Sequence, residues 1–147
     1  MVTPHTEEYL EAILRLVCPH NRDEHVGCFA PDVDVATLDR SACQIARPSE
    51  IAEMVGVSRP SVTTALQRME QDGLVLRSGK GVCLTSQGFE KARTVLRRHR
   101  VSEKFLIKVL GFDPDSVHDE ACVLEHSLSE RIVDALEKLT DSYEREN

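Results

Sequence analysis

Apolar side chains recur at helical spacing over residues 6–17 (TEEYLEAILRLV). Tyr9, Leu10, Ile13, Leu14, Leu16 and Val17 form a broad stripe there, which predicts a core-facing helix. Thr6 is placed to cap it, and the acids of its first turn suit the helix dipole. The periodicity then stops. Residues 18–43 are polar and punctuated by Pro19, Gly27 and Pro31, a connection longer than compact domains usually tolerate. Helical spacing returns at 48–56, with Ser49 as the expected cap and Gly56 as the stop. It continues at 59–72, with Ser58 as N-cap, Pro60 in the first turn, Val62, Leu66 and Met69 on one face, and Gly73 as the stop.

Residues 74–85 switch to alternation around the turn Ser78-Gly79-Lys80-Gly81, which predicts a two-stranded hairpin. Ser86 then opens a long helix to about 110, closed by Gly111. After the break Phe112-Asp113-Pro114, Asp115 or Ser116 starts a helix to about 127. Ser127 or Ser129 starts a last one, SERIVDALEKL, expected to fade into a polar tail.

Helix, tight turn, helix and small hairpin, in that order, is the winged helix-turn-helix arrangement. The fold class expected is therefore mainly α: a winged helix-turn-helix over 1–85, carrying the insertion 18–43, then a helical domain over 86–147. The second helix of the pair is the one expected in the major groove. Ser58, Arg59, Pro60, Ser61, Thr63 and Thr64 lie at its start, where short polar or basic side chains reach phosphates and base edges. Arg59 is the side chain suited to a bidentate guanine contact. Arg77 and Lys80 on the hairpin are expected to touch phosphate.

Net charge of -7 argues at first against a polyanionic partner, but its distribution reverses that. Residues 44–110 hold 12 basic and 6 acidic side chains, against 6 and 19 in the rest of the chain. A basic middle suits DNA. Aromatic residues are only 4%, so the core is expected to be aliphatic. No apolar run is long enough to cross a bilayer, and the acidic start is unlike a signal peptide, so no membrane partner and a cytoplasmic location are expected. Five cysteines, an odd number, point to thiols or metal ligands rather than a disulfide framework.

The later helices carry the second pattern. His118, Cys122, Glu125 and His126 stand at i, i+4, i+7 and i+8, one helix face. His99 and Glu103 are i, i+4 on the long helix, and Glu8 and Glu11 are i, i+3 on the first. Any one of these residues alone is an ordinary surface or core side chain. Imidazole, carboxylate and thiolate together suit a first-row divalent transition metal rather than Ca²⁺ or Mg²⁺. Cys18, His20, His25, Cys28 and Cys43 offer a second, less regular set whose spacing fits no standard finger.

These segments resemble the diphtheria-toxin-repressor family of metal-dependent regulators. TPHTEEYLEAI is similar to its first helix, SEIAEMVGVSRPSVTTALQRMEQDGLV to its helix-turn-helix, RRHRVSEKFL to its linking helix, and VHDEACVLEHSLS to its metal and dimer region. The likeness omits 18–43 and is to the short form without an SH3-like domain, as in the manganese-transport-regulator branch. The resemblance implies a primary site at Glu8, Cys122, Glu125 and His126, and an ancillary one at His99, Glu103 and His118. In manganese-responsive members the matching positions are Glu8, Glu11, His99, Cys122, Glu125 and His126. Two positions depart from the patterns: Glu8 stands where iron-type members carry a thioether, and Cys122 where manganese-type members carry a carboxylate. The hard and soft ligands pull metal preference in opposite directions.

The function expected is a metal-dependent repressor of metal-uptake genes, binding palindromic operator DNA as a homodimer, without small-molecule substrate or catalysis. The dimer is expected through Val123, Leu124, Leu128, Ile132, Val133, Leu136 and Leu139. The alternative is a metal-independent winged-helix regulator responding to oxidation or a small molecule. A metal-dependent hydrolase is disfavoured by the lack of a phosphate loop or nucleophile motif. A purely structural zinc protein is disfavoured by Arg59 and the wing.

Overall fold

A computed structural model describes residues 4–17 and 45–147. Cys18, His20, His25, Cys28 and Cys43 lie outside the described residues. Among the described residues there are six helices and one hairpin: α1 (Pro4–Val17), α2 (Pro48–Val55), α3 (Arg59–Gln71), β1 (Val75–Ser78), β2 (Gly81–Leu84), α4 (Ser86–Lys108), α5 (Val117–Glu125) and α6 (Glu130–Glu146). The fold is mainly α, a winged helix-turn-helix followed by helices. The chain forms two compact units, 1–93 and 94–147, with the division inside α4.

In the first unit α1 packs on α2 and β2, α2 on α3, and α3 on β1. Its core is aliphatic: Leu10, Ile13, Leu14, Ile51, Val62, Leu66 and Leu74 are buried, with Tyr9 among them. Glu11 is buried and Arg15, one turn on along α1, is half-buried, and the two form an ion pair with each other. Each charge compensates the other's lost hydration.

Pro48 takes the first position of α2, so Ser49 lies inside the helix instead of capping it. Arg47 occupies the N-cap, and its backbone N–H donates to Glu50 Oε1 at 3.3 Å. Gly56, at φ 79°, ends α2 in the left-handed region, where a side chain would be strained. Ser58 caps α3 as expected, its Oγ accepting from Ser61 N–H at 3.3 Å. The hairpin pairs Val75 with Leu84 and Ser78 with Gly81. An isolated bridge, Ala46 to Val82, adds backbone hydrogen bonds of 2.8 Å on the far side of β2.

Thr85 joins the wing to α4. Its hydroxyl donates to the Gly73 carbonyl at 2.6 Å and accepts from Gly88 N–H at 3.0 Å. One side chain therefore closes α3's exit and caps α4's start.

In the second unit Leu106 of α4 packs with Val117 and Ala121 of α5, flanked by Phe105, Ile107 and Leu124. Between α4 and α6 the seam is ionic. Arg97 reaches Glu130, Asp134 and Glu137 at 2.7–3.2 Å, Arg98 reaches Glu130 at 2.8 Å, and Lys104 reaches Asp141 and Glu144 at 3.2 and 2.8 Å. This is why α6 runs to Glu146 rather than fading after Leu139. The acids that read as a polar tail stand opposite the basic stripe of α4. Ser129 supplies the N-cap, accepting from Ile132 N–H at 3.3 Å. Ser116 sits at the N-cap of α5 without a side-chain cap bond. Among the described residues no helix is long and apolar enough to cross a membrane.

Candidate metal centre and nucleic-acid interface

The potential metal ligands of the second unit meet around His99, whose ring is buried. His99 Nδ1 lies 2.8 Å from Glu125 Oε2, and His99 Nε2 lies 3.0 Å from Glu103 Oε2. Cys122 Sγ lies 3.5 Å from His118 Nε2 and 3.8 Å from His99 Nδ1. The rings of His99 and His118 are 4.8 Å apart at their centroids. His126 Nε2 approaches the other Glu125 oxygen at 3.2 Å. Helix periodicity builds this: His118 and Cys122 stack one turn apart on α5, and Glu125 follows on the same face, turned toward α4.

One donor atom each from His99, His118 and Cys122 lies within 4.8 Å of the other two. Ligand atoms 2.0–2.3 Å from one tetrahedral ion stand roughly 3.5 Å apart, close to the sulfur–nitrogen separations here. Glu125 supplies the second sign. It is 1% exposed, and its Oε2 makes no well-directed hydrogen bond despite lying 2.8 Å from His99 Nδ1. A buried carboxylate oxygen facing an imidazole nitrogen with poor hydrogen-bond alignment is suited to accept a cation. The mixed nitrogen, sulfur and oxygen donors fit a first-row transition metal.

Burial pushes the Cys122 thiol up, yet its hydrogen bonds with His118 and His99 outweigh that, and the thiol sits below its ordinary range. The hydrogen bond with His99 holds the Glu103 carboxyl low against the opposing effect of burial. A thiolate and carboxylates are the forms that bind metals. Glu8 and Glu11 belong to the first unit. Glu8 is exposed, with Oε2 at 3.9 Å from His5 Nδ1, and Glu11 is engaged by Arg15.

The expected DNA contacts are presented on the first unit. Ser58, Arg59, Pro60, Ser61, Thr63 and Thr64 are all exposed, opposite the buried face Val62, Leu66 and Met69. Thr63 and Thr64 donate their hydroxyls back to the Arg59 and Pro60 carbonyls, at 3.1 Å in each case. Lys80 is exposed in the hairpin turn. Arg77 is exposed too, but Glu70 holds its guanidinium at 3.0 Å. An exposed pair of that kind is worth little and yields readily to phosphate. The ionic seam of Arg97, Arg98 and Lys104 escaped the sequence reading. Its one signal was the run of bases on the long helix, which reads equally as part of a DNA-facing charge.

The family profile described as "Iron dependent repressor, metal binding and dimerisation domain" matches residues 85–146, and a "Crp-like helix-turn-helix domain" matches 39–87. The diphtheria toxin repressor of Corynebacterium diphtheriae is 38% identical over 98 residues, 66% of this chain and 43% of that protein. The iron-dependent repressor IdeR of Mycobacterium tuberculosis is 38% identical over 95 residues, 64% of this chain and 41% of that protein. The chain thus spans less than half the length of the curated relatives it matches. Among solved structures, a manganese-dependent transcriptional repressor in complex with manganese superposes with a TM-score of 0.69 at 27% identity, over 92% of this chain and 52% of that one. ScaR with bound Zn²⁺ superposes with a TM-score of 0.65 at 28% identity, over 92% and 53%.

Proposed function

We propose that this chain, a member of the diphtheria-toxin-repressor family of metal-dependent regulators, is a repressor that binds palindromic operator DNA as a dimer when a divalent transition metal is bound. The single observation that carries the reading is the convergence of His99, His118, Cys122 and Glu125 in one chain with an exposed, polar recognition helix. Relatives named as iron- and manganese-dependent repressors support Mn²⁺ or Fe²⁺, and a neighbour with bound Zn²⁺ keeps zinc in the set. A cytoplasmic site of action and control of metal-uptake genes belong to the same proposal, as does the division of labour between a DNA-binding part at 1–85 and a metal and dimerisation part at 86–147.

When bound, the metal supplies positive charge that offsets a buried carboxylate and a thiolate. The chain's own groups set how it is received. His99 Nδ1 faces Cys122 and Glu125, while Nε2 faces Glu103. Glu103 therefore orients the imidazole from behind, as carboxylates commonly do for metal-binding histidines. Glu103→Gln is expected to weaken metal affinity about 10- to 100-fold, measured by competition with a chromogenic chelator. Unchanged affinity would remove Glu103 from the centre. Glu125 and His126 complete the set on the α5 side. Glu8 and Glu11 are kept in the proposed set on the sequence, by their spacing on the first helix and by the resemblance.

The dimer is supported by α6. Ile132, Leu139 and Tyr143 are 47%, 51% and 40% exposed along one face, with Leu136 half-buried between them, while Val133 and Thr140 face inward. Val123 of α5 is 70% exposed. Apolar surface of this kind favours association. Leu139→Asp is expected to convert the dimer to a monomer at micromolar concentration in sedimentation, with helix content retained. A dimer that persists in this variant would place the interface elsewhere. Differential affinity for the DNA-competent state is how metal then raises repression. Operator binding compared in chelator and in metal tests the whole reading.

A further inference from the structure

A cleft of about 520 Å³ opens in the first unit between α1 and the exposed flank of α3. Among the described residues no carboxylate lines it. Its floor includes Tyr9, which is fully buried, with a hydroxyl that finds no hydrogen-bond partner among the described residues. At the rim stands Arg68, exposed and without an ion pair among the described residues. Thr64 and Ser61 add hydroxyls on the α3 side, and Ala65 and Met69 give an apolar wall. A buried polar group without a partner is costly and asks for a ligand acceptor. The volume lies within the range of small-molecule sites, roughly 300–1,000 Å³.

We infer that this cleft is a binding site for a small organic carboxylate, its anionic head held by Arg68 and the Tyr9 hydroxyl and its apolar body against Ala65 and Met69. Ser61 and Thr64 are shared with the surface proposed to meet DNA, so occupancy disfavours operator binding. That consequence rests on the repressor reading, whereas the site itself does not. Such a protein integrates two signals, a metal that favours DNA binding and a carboxylate that opposes it.

The test uses cyclohexanecarboxylate as probe and calorimetry on the full chain, without metal or DNA. One-to-one saturable binding is expected, absent for the cation of similar shape, cyclohexylmethylamine. Arg68→Gln is expected to weaken it at least about tenfold and Tyr9→Phe several-fold, as charge-assisted bonds lose a partner. No saturation at tens of millimolar, equal binding of the amine, or unchanged affinity in Arg68→Gln each overturns the site. Loss of DNA affinity in Arg68→Gln with no carboxylate binding by the parent chain would assign the arginine to a phosphodiester instead, and also overturns it. Because probe binding is read without DNA, a chain that takes the carboxylate but never binds an operator would contradict the repressor reading and leave the cleft intact.

Discussion

Cys122→Ala is expected to erase the metal-dependent gain in operator affinity. Coupling between an effector and a second site is typically about 5- to 150-fold. The ratio of Kd in chelator to Kd in metal should therefore fall from that range to near one. Cys122 stands between two imidazoles, with Sγ at 3.5 Å from His118 and 3.8 Å from His99. The same hydrogen bonds hold its thiol low, so the thiolate is available to a metal without a large proton cost. Alanine removes the one sulfur donor of the cluster and leaves the packing of Ala121 and Leu124 in place. Fluorescence anisotropy with and without metal reads the ratio, and circular dichroism checks the fold. His126→Ala is expected to act in the same direction. A variant lacking Cys122 that still responds fully to metal would remove the thiolate from the ligand set.

The second large effect is on stability. Gly88→Ala is expected to destabilise the protein by about 2–3 kcal/mol, the upper part of the usual overpacking range of roughly 1–3 kcal/mol. That corresponds to a fall in Tm of roughly 5–10 °C for a chain of this size. A Cβ on Gly88 would fall on the Leu74 carbonyl oxygen, with the carbonyl carbon 2.9 Å away. The carbonyl cannot swing aside cheaply, because it accepts from Thr85 N–H at 3.0 Å. Gly88 N–H is itself tied to the Thr85 hydroxyl. The strain is thus applied where wing and α4 meet. Thermal unfolding followed by circular dichroism gives the answer, and a Tm within about 2 °C of the parent would show that this junction yields.

The element order was legible because the chain is locally consistent. Period-3.6 stripes, Ser58 and Ser129 as caps, and Gly56 and Gly111 as stops all agree with what forms. What was not legible depends on partners distant in sequence. The acids after Leu139 look like a solvated tail until Lys104 and Lys108 of α4 stand opposite them. Ser49 reads as a cap until Pro48 takes the first helical position. The ligand candidates on α5 were readable from spacing alone. His99 was readable as a candidate, but not its two-sided placement, with Glu103 on one nitrogen and Glu125 on the other. Tyr9 reads simply as one more apolar position of the first stripe, and only its position in the cleft sets its hydroxyl apart.

The most direct measurement is operator affinity against free metal, with bound metal quantified at each point. Duplexes would first be selected from random-sequence DNA in parallel pools with metal and with chelator. The account predicts that palindromic duplexes enrich in the metal pool, that Kd falls as Mn²⁺, Fe²⁺ or Zn²⁺ fills the sites, and that chelator reverses the gain. Equally tight binding in chelator and in saturating metal, or the absence of sequence-selective binding in either pool, would contradict it.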